Sequence, residues 1–183
     1  MENVELKDIR IRAPNAGELR SLYELARSCG GELPQWSRKD YECLLTATAG
    51  RKRKVLVVSP DDKIAGFGVV SHVTETADGG GGTQPEWELE IIVIAREERR
   101  QGLGSRLLRE LLKQAGGEGA GKMFLEVRES IFAARLLYEK TGFTSCGRRR
   151  GYYHLPEEDA MIYEFLFGER ILKKDDGIAL IGI

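Results

Sequence analysis

The segment from Trp87 to Leu112 most constrains the fold, because three patterns follow one another in it. It begins with "WELEIIVIA", whose apolar "IIVI" run is typical of a strand buried on both faces. The run "REERRQGLG" follows, with one residue separating Gly102 from Gly104. Leucines then recur at helical spacing, at positions 103, 107, 108, 111 and 112. We therefore predict a buried strand, a tight glycine turn and an amphipathic helix.

The rest of the chain predicts a mixed α+β domain around one sheet. Further strands are indicated in "DIRIRAP", "KVLVVS", "KIAGFGVVSHVTE", "KMFLEV", "FTSCGRRRGYYHL" and "DAMIYEFLF". Further helices are indicated from Leu19 to Gly30, from Ser37 to Gly50, and in "IFAARLLYEKTG", which ends at Gly142. The predicted order is β-α-α-β-β-β-α-β-α-β-β. The glycine-rich segment 77–86 is predicted to be a mobile surface flap.

Composition excludes several classes of protein. The chain has 183 residues, a length typical of one globular domain. Its net charge of −1 gives no overall positive field that would attract nucleic acid. "MENVELKDIR" has no apolar core of a signal peptide, and no apolar run reaches membrane-spanning length. We therefore expect a cytoplasmic protein without a membrane partner. Cys29, Cys43 and Cys146 show no C-x-x-C pattern and are predicted to be buried thiols. With only His72 and His154 available, no metal site is expected.

The glycine turn predicts an anion site. The first amides of a helix beginning at Gly102 have no intrahelical acceptor, and the helix dipole adds partial positive charge there. Arg99 and Arg100 would strengthen the attraction for phosphate. The alternative is a plain glycine turn with solvated arginines. Neither G-x-G-x-x-G nor a P-loop is present.

"RRQGLG", placed between a buried strand and an amphipathic helix, resembles the R/Q-x-x-G-x-G/A signature of the GNAT acetyltransferases. The resemblance implies a GNAT-like fold, with a central, mostly antiparallel twisted sheet flanked by helices and splayed strands that hold acetyl-CoA. It assigns the cofactor's pyrophosphate to a loop and its pantetheine arm to the preceding strand edge. The loop comprises Arg99, Arg100, Gln101, Gly102, Leu103, Gly104 and Ser105, and the strand edge comprises Ile92, Val93 and Ile94.

"LPQWS", "LEVRES", "LYEKTGF" and "RRRGYYHLPEEDAMIYEF" are similar to segments of the RimI-type group, the ribosomal-protein-alanine N-acetyltransferases. This implies transfer of acetyl from acetyl-CoA to the N-terminal α-amine of a protein, such as a ribosomal protein beginning with Ala. The similarity runs from about Ile9 to Phe165. Residues 1–168 are therefore assigned to one acetyltransferase domain, and 169–183 to a C-terminal extension.

Two residues are expected to carry the chemistry. Alternation in "FLEVR" places Glu126 on one face with Phe124 and Arg128, where partial desolvation would raise its pKa toward that of a base. The resemblance assigns Glu126 as general base and Tyr138 as general acid. The alternatives are a strand glutamate paired with an arginine and a core tyrosine with a satisfied hydroxyl. Glu90 is a second candidate base.

Several features leave the acceptor open. Ile91 and Ile131 replace residues that are often polar in this family, the second a cofactor-contacting asparagine. A small-molecule amine, an internal lysine and a non-catalytic acyl-CoA-binding role therefore remain alternatives. "RRRGYYH", together with the basic run 51–54, predicts a solvated strand face, an acceptor-peptide contact or a surface for single-stranded nucleic acid. No covalent nucleophile is indicated, since Cys146 has no evident histidine partner.

Overall fold

The computed structural model describes residues 8–30, 33, 36–45, 52–73 and 85–168. In this part of the chain seven strands form one sheet, in the order β1-β2-β3-β4-β5-β7-β6. The strands are β1 (Ile9–Arg12), β2 (Arg53–Pro60), β3 (Gly66–Val73), β4 (Glu86–Ile94), β5 (Lys122–Arg128), β6 (Thr144–His154) and β7 (Glu157–Leu166). The helices are α1 (Leu19–Cys29), α2 (Arg38–Glu42), α3 (Leu103–Gly117) and α4 (Phe132–Thr141). Every neighbouring pair is antiparallel except β4 and β5. The predicted order of elements and the mostly antiparallel sheet are confirmed.

The helix ends follow from capping chemistry. Ser37 caps α2 by accepting from the Asp40 N–H, and the Asp40 carboxylate accepts in return from the Ser37 N–H. The helix ends at Glu42, well before Gly50, so its predicted length is wrong; residues 46–50 lie outside the described ones. α4 ends as predicted at Gly142, which has φ of +108° and therefore takes a backbone conformation that favours glycine.

The core lies on both faces of the sheet. On one face, here the α3 face, α3 and α4 cover a cluster in which Leu107, Leu108 and Leu111 have no exposed surface. On the other, the α1 face, α1 and α2 cover a second cluster that includes Leu22 and Phe67. The predicted leucine stripe of α3 is thus the contact that fixes this helix to the sheet.

A β-bulge interrupts β4 at Glu90. In the register of β3 against β4, Val69 pairs with Ile91 and Val70 with Leu89, so Glu90 is an extra residue. The bulge exchanges the two faces of the strand. Before it, Trp87 and Leu89 lie in the α3-face cluster. After it, Ile91 and Val93 lie in the α1-face cluster.

The "IIVI" run is therefore buried less evenly than its sequence predicts. Ile91 and Val93 are buried, whereas Ile92 and Ile94 pack against the α3-face cluster and stay only half-buried. The physical reason is that the α3 face of β4 is not fully covered along its C-terminal half. The prediction that the strand is buried on both faces is thus wrong at Ile92 and Ile94.

The cysteines differ from one another in burial. Cys29 is buried, Cys43 is half-buried and Cys146 is exposed, so the prediction of three buried thiols is wrong for the last two. Cys146 is exposed because β6 lies at the edge of the sheet, next to β7 alone. Within the described ranges, no helix is long and apolar enough to cross a bilayer, and no three metal-ligating side chains are grouped.

We expect Gly66→Ala to lower the free energy of unfolding by about 1–3 kcal/mol through overpacking. A methyl carbon there would lie 2.5 Å from the Val93 carbonyl oxygen, and a backbone atom cannot move aside cheaply. Gly117→Ala is the control, since nothing lies within 4 Å of the added methyl. It should be neutral or raise helix stability by up to about 1 kcal/mol. Urea unfolding of both variants measures the difference, and equal values would contradict the packing argument.

Candidate active site

The sheet opens between β4 and β5. These parallel strands pair at only three positions, from Glu86 with Lys122 to Glu88 with Phe124. From Leu89 to Ile94, β4 pairs only with β3 among the described strands. Its opposite edge is therefore available to a ligand that forms strand-like hydrogen bonds. This is the predicted splay, and Ile92 and Val93 lie along it.

One carbonyl of the predicted strand edge is already bonded. The carbonyl oxygen of Ile94 accepts a hydrogen bond from Arg99 Nε at 3.1 Å and lies 3.8 Å from the Cys29 thiol sulfur. Arg96 donates in turn to the Cys29 carbonyl oxygen at 3.2 Å. The end of β4 is thus tied both to the loop that follows it and to the end of α1.

The predicted loop turns into α3 as expected. Arg100 and Gly102 have φ of +65° and +79°, which bends the chain sharply before the helix. The N–H of Arg106 donates to the Gly102 carbonyl oxygen at 3.1 Å. The amides of Leu103, Gly104 and Ser105 precede this bond, so they lack intrahelical acceptors and point out of the helix mouth. Together with the helix dipole they make an anion site.

The other loop residues have local roles. The Gln101 side chain donates to a Glu98 carboxylate oxygen at 3.2 Å and so braces the turn. A methyl carbon at Gly104 would lie 3.3 Å from Cδ2 of Leu137, so this glycine allows α3 and α4 to approach each other. The predicted reason for Gly104 was room for a ligand, which does not include this contact between helices.

Glu126 lies on the half-buried side of β5, as its alternation predicts. Its Oε1 is 3.1 Å from Arg149 Nε on β6, and its side chain is 26% exposed. The Tyr152 hydroxyl also hydrogen-bonds this carboxylate, which raises the pKa of Tyr152. The structure thus shows the ion pair that the sequence offered as the alternative interpretation. A charged carboxylate is also the form that accepts a proton.

Two adjacent tyrosines on β6 complete this side of the opening. Burial first, then the Glu126 charge, raises the pKa of Tyr153 to about 12. The Arg128 guanidinium lies 4.1 Å from the centre of the Tyr153 ring. A register irregularity in β6 positions the two tyrosines. Between Arg149 and Tyr153, β6 has more residues than the facing part of β7. The glycine of "RRRGYYH" was the signal for it, since Gly151 has φ of +58° there.

Tyr138 lies on the opposite face of the sheet from Glu126. It is buried in the α3-face cluster, with ring centres 5.9 Å from Phe143 and 6.1 Å from Tyr163. Burial first, and Tyr153 second, raises the pKa of Tyr138, so the hydroxyl keeps its proton at neutral pH. Tyr153 interacts electrostatically with both Glu126 and Tyr138.

Glu90, the other candidate base, is held elsewhere. Its side chain is only 6% exposed, and Oε1 lies 2.9 Å from Arg53 Nε on β2. Ile91 is buried in the α1-face cluster. Ile131 forms the N-cap of α4 without a side-chain cap, and its carbonyl oxygen accepts from the amides of Ala134 and Arg135. Glu90 is therefore engaged in an ion pair with Arg53, and Ile91 belongs to the core of the α1 face.

The chain is similar to a protein-family model and to several known proteins. Residues 19–143 match the model of the acetyltransferase (GNAT) family. The ribosomal protein bS18-alanine N-acetyltransferase of Salmonella typhimurium is 32% identical over 129 residues, which cover 69% of this chain and 78% of that protein. The crystal structure of the ribosomal-protein-S18-alanine N-acetyltransferase from Escherichia coli has a TM-score of 0.68 and 26% identity, covering 90% of this chain and 99% of that one. Arabidopsis thaliana NAA60 in complex with acetyl-CoA has a TM-score of 0.72 at 18% identity over 86% of this chain and 99% of that one, a likeness of fold.

The family match extends from α1 to the residue after Gly142 and includes the opening, the loop, Glu126 and Tyr138. The Salmonella and Escherichia coli proteins carry the same activity in their names. The matches to solved structures agree with the overall fold described above. The chain therefore belongs to the GNAT acetyltransferase family and is an acyltransferase enzyme similar to the RimI-type N-acetyltransferases.

Proposed function

We propose that the protein transfers the acetyl group of acetyl-CoA to the N-terminal α-amine of a protein in the cytoplasm, with a ribosomal protein beginning with Ala as the first candidate. The observation that carries this proposal is the opening between β4 and β5: β4 leads from it into the mouth of α3, and Glu126 lies on β5 just past the last paired position, Phe124. The names of the Salmonella typhimurium and Escherichia coli relatives support this choice of acceptor.

Acetyl-CoA fits the opening by its chemistry. Its diphosphate is an anion suited to the free amides of Leu103, Gly104 and Ser105. The exposed side chains of Arg99 and Arg100 add positive charge beside them. The amide groups of the pantetheine arm can pair with the free edge of β4 at Ile92 and Val93, as an added strand would. The bonded carbonyl of Ile94 would mark the end of that pairing.

The transfer needs a neutral amine and a protonated leaving group. Glu126 takes the proton of the amine, whose nitrogen attacks the thioester carbon directly. As the tetrahedral intermediate collapses, the C–S bond breaks and the thiolate takes the Tyr138 proton. An α-amine with a pKa near ~7.8 is roughly a quarter neutral at pH ~7.4, whereas a lysine amine near ~10.4 is neutral in about one molecule in a thousand. A single carboxylate is therefore better matched to an N-terminus.

Gly102→Val tests the loop. A β-branched residue at φ of +79° is strained and would displace the amides at the helix mouth. We expect acetyl-CoA binding, measured by titration calorimetry, to weaken by at least about tenfold, the equivalent of ~1.4 kcal/mol. Gly119→Val is the matched control, because Gly119 has φ of +82° and open space around it but lies at the far end of α3. Equal affinities for the two variants would remove the phosphate-binding role from this turn.

Glu126→Gln tests the base. On a peptide that begins with Ala, we expect turnover to fall about 100-fold, and more at low pH where less of the amine is neutral. Glu129→Gln is the control: it removes a carboxylate from a neighbouring ion pair with Arg148 and should keep turnover. Mass spectrometry of N-terminal peptides, lysine peptides and small amines identifies the acceptor. No acetylated product from any wild-type reaction would favour a binding role instead.

Tyr138→Phe tests the acid. Loss of the hydroxyl leaves the thiolate without its proton donor, so kcat should fall about tenfold or more while the Kd for acetyl-CoA changes little. Tyr41→Phe is the control for removing a buried hydroxyl, since burial also raises the pKa of Tyr41 to about 12 on the far side of the sheet. Stopped-assay kinetics measure kcat. An unchanged kcat in Tyr138→Phe would show that solvent protonates the leaving group.

A further inference from the structure

The cationic partner of Glu126 comes from a strand two places away in the sheet. Arg149 lies on β6, β7 intervenes, and Glu126 lies on β5. Ala160 on β7 pairs with both Arg128 and Arg149, which places all three on one face. Since Ala160 has only a methyl group, the long Arg149 side chain can cross above it to the carboxylate.

Arg149 is held more loosely than its neighbours. Its side chain is 57% exposed, and its guanidinium lies 5.5 Å from the centre of the Tyr152 ring. Arg148, by contrast, is ion-paired with both Asp159 and Glu129. Arg128 is ion-paired with Glu158 and also donates to the carbonyl oxygens of Leu155 and Pro156. Of these three arginines, Arg149 is the one that can leave its carboxylate at small cost, because exposed ion pairs contribute little to stability.

The acceptor amine must reach the same carboxylate. An α-amine is mostly an ammonium cation at neutral pH, and it gives up its proton at Glu126 under the proposed function. Two cations therefore compete for one carboxylate.

Other charged or titratable groups also face Glu126 or the tyrosines beside it. These are Glu88 from β4, Arg128 from β5, Tyr138 from α4, Tyr152 and Tyr153 from β6, and Glu158 from β7.

We propose that Arg149 is the resident counter-ion of Glu126 in the free enzyme, and that the ammonium group of the acceptor displaces it on binding. The inference rests on the proposed function, since it takes Glu126 as the base. Arg149 is then a positioning residue. It occupies the Glu126 carboxylate until the acceptor arrives, and it moves aside along the Tyr152 ring when the amine takes its place.

The test compares Arg149→Ala and Arg149→Lys in the full chain, with a peptide beginning with Ala and saturating acetyl-CoA. In Arg149→Ala we expect the peptide KM near pH ~8 to fall about two- to threefold, because no resident cation has to leave. We expect kcat to stay within about twofold of wild type, because Arg149 has left the carboxylate before the amine reacts and its removal changes binding alone. Arg149→Lys keeps a cation beside Glu126, so its KM should return most of the way to the wild-type value.

Arg10→Ala is the control, since Arg10 has the same 57% exposure and is ion-paired with Asp8 and Asp62 on the other edge of the sheet. It should change neither quantity. A KM that rises or does not change in Arg149→Ala would overturn the counter-ion role. If Glu126→Gln still loses turnover, that failure leaves the base assignment standing. Full turnover in Glu126→Gln would instead overturn the base and the counter-ion together.

Discussion

The parting of β4 from β5 is the constraint on which the rest of the structure depends. Two adjacent parallel strands that stop pairing leave backbone hydrogen-bonding groups without protein partners, which a buried sheet does not tolerate. The molecule keeps the gap open by packing both sides separately. The leucines of α3 hold β4 on one side, and the antiparallel pairing of β5 with β7 over Lys122–Arg128 holds the other. A ligand with amide groups can complete the missing bonds, which is the physical reason that cofactor and fold belong together.

The bulge at Glu90 works with this opening. It turns Ile91 and Val93 into the α1-face core and leaves Ile92 and Ile94 half-buried beside the gap. It also puts a carboxylate in the middle of an apolar strand, where Arg53 neutralises it at 2.9 Å. The strand thus remains well packed although its neighbour has moved away. For this reason Glu90 has a structural explanation of its own, and Glu126 is the carboxylate that we propose as the base.

Sequence patterns predicted the elements that are set by local chemistry. The leucine stripe of α3, the cap at Ser37 and the glycine after α4 each depend on residues close in sequence, and all are confirmed. The uneven burial of "IIVI" was missed because it depends on the register between two strands. The pairing of Glu126 with Arg149 in particular was not predicted, for the same reason. Twenty-two residues lie between them in sequence, and the pairing of β5 and β6 with β7 brings them together.

Glu126 and Tyr138 lie on opposite faces of the sheet, and under the proposed mechanism this separation would shape each catalytic cycle. The proton that the carboxylate removes from the amine is a different proton from the one that the tyrosine donates to sulfur. Each turnover therefore leaves one group with a proton too many and the other with one too few. The half-buried carboxylate could return its proton to water directly. The buried phenolate would be reprotonated only when departing coenzyme A exposes it to solvent. Glu126 would therefore return to its starting protonation state before Tyr138 does.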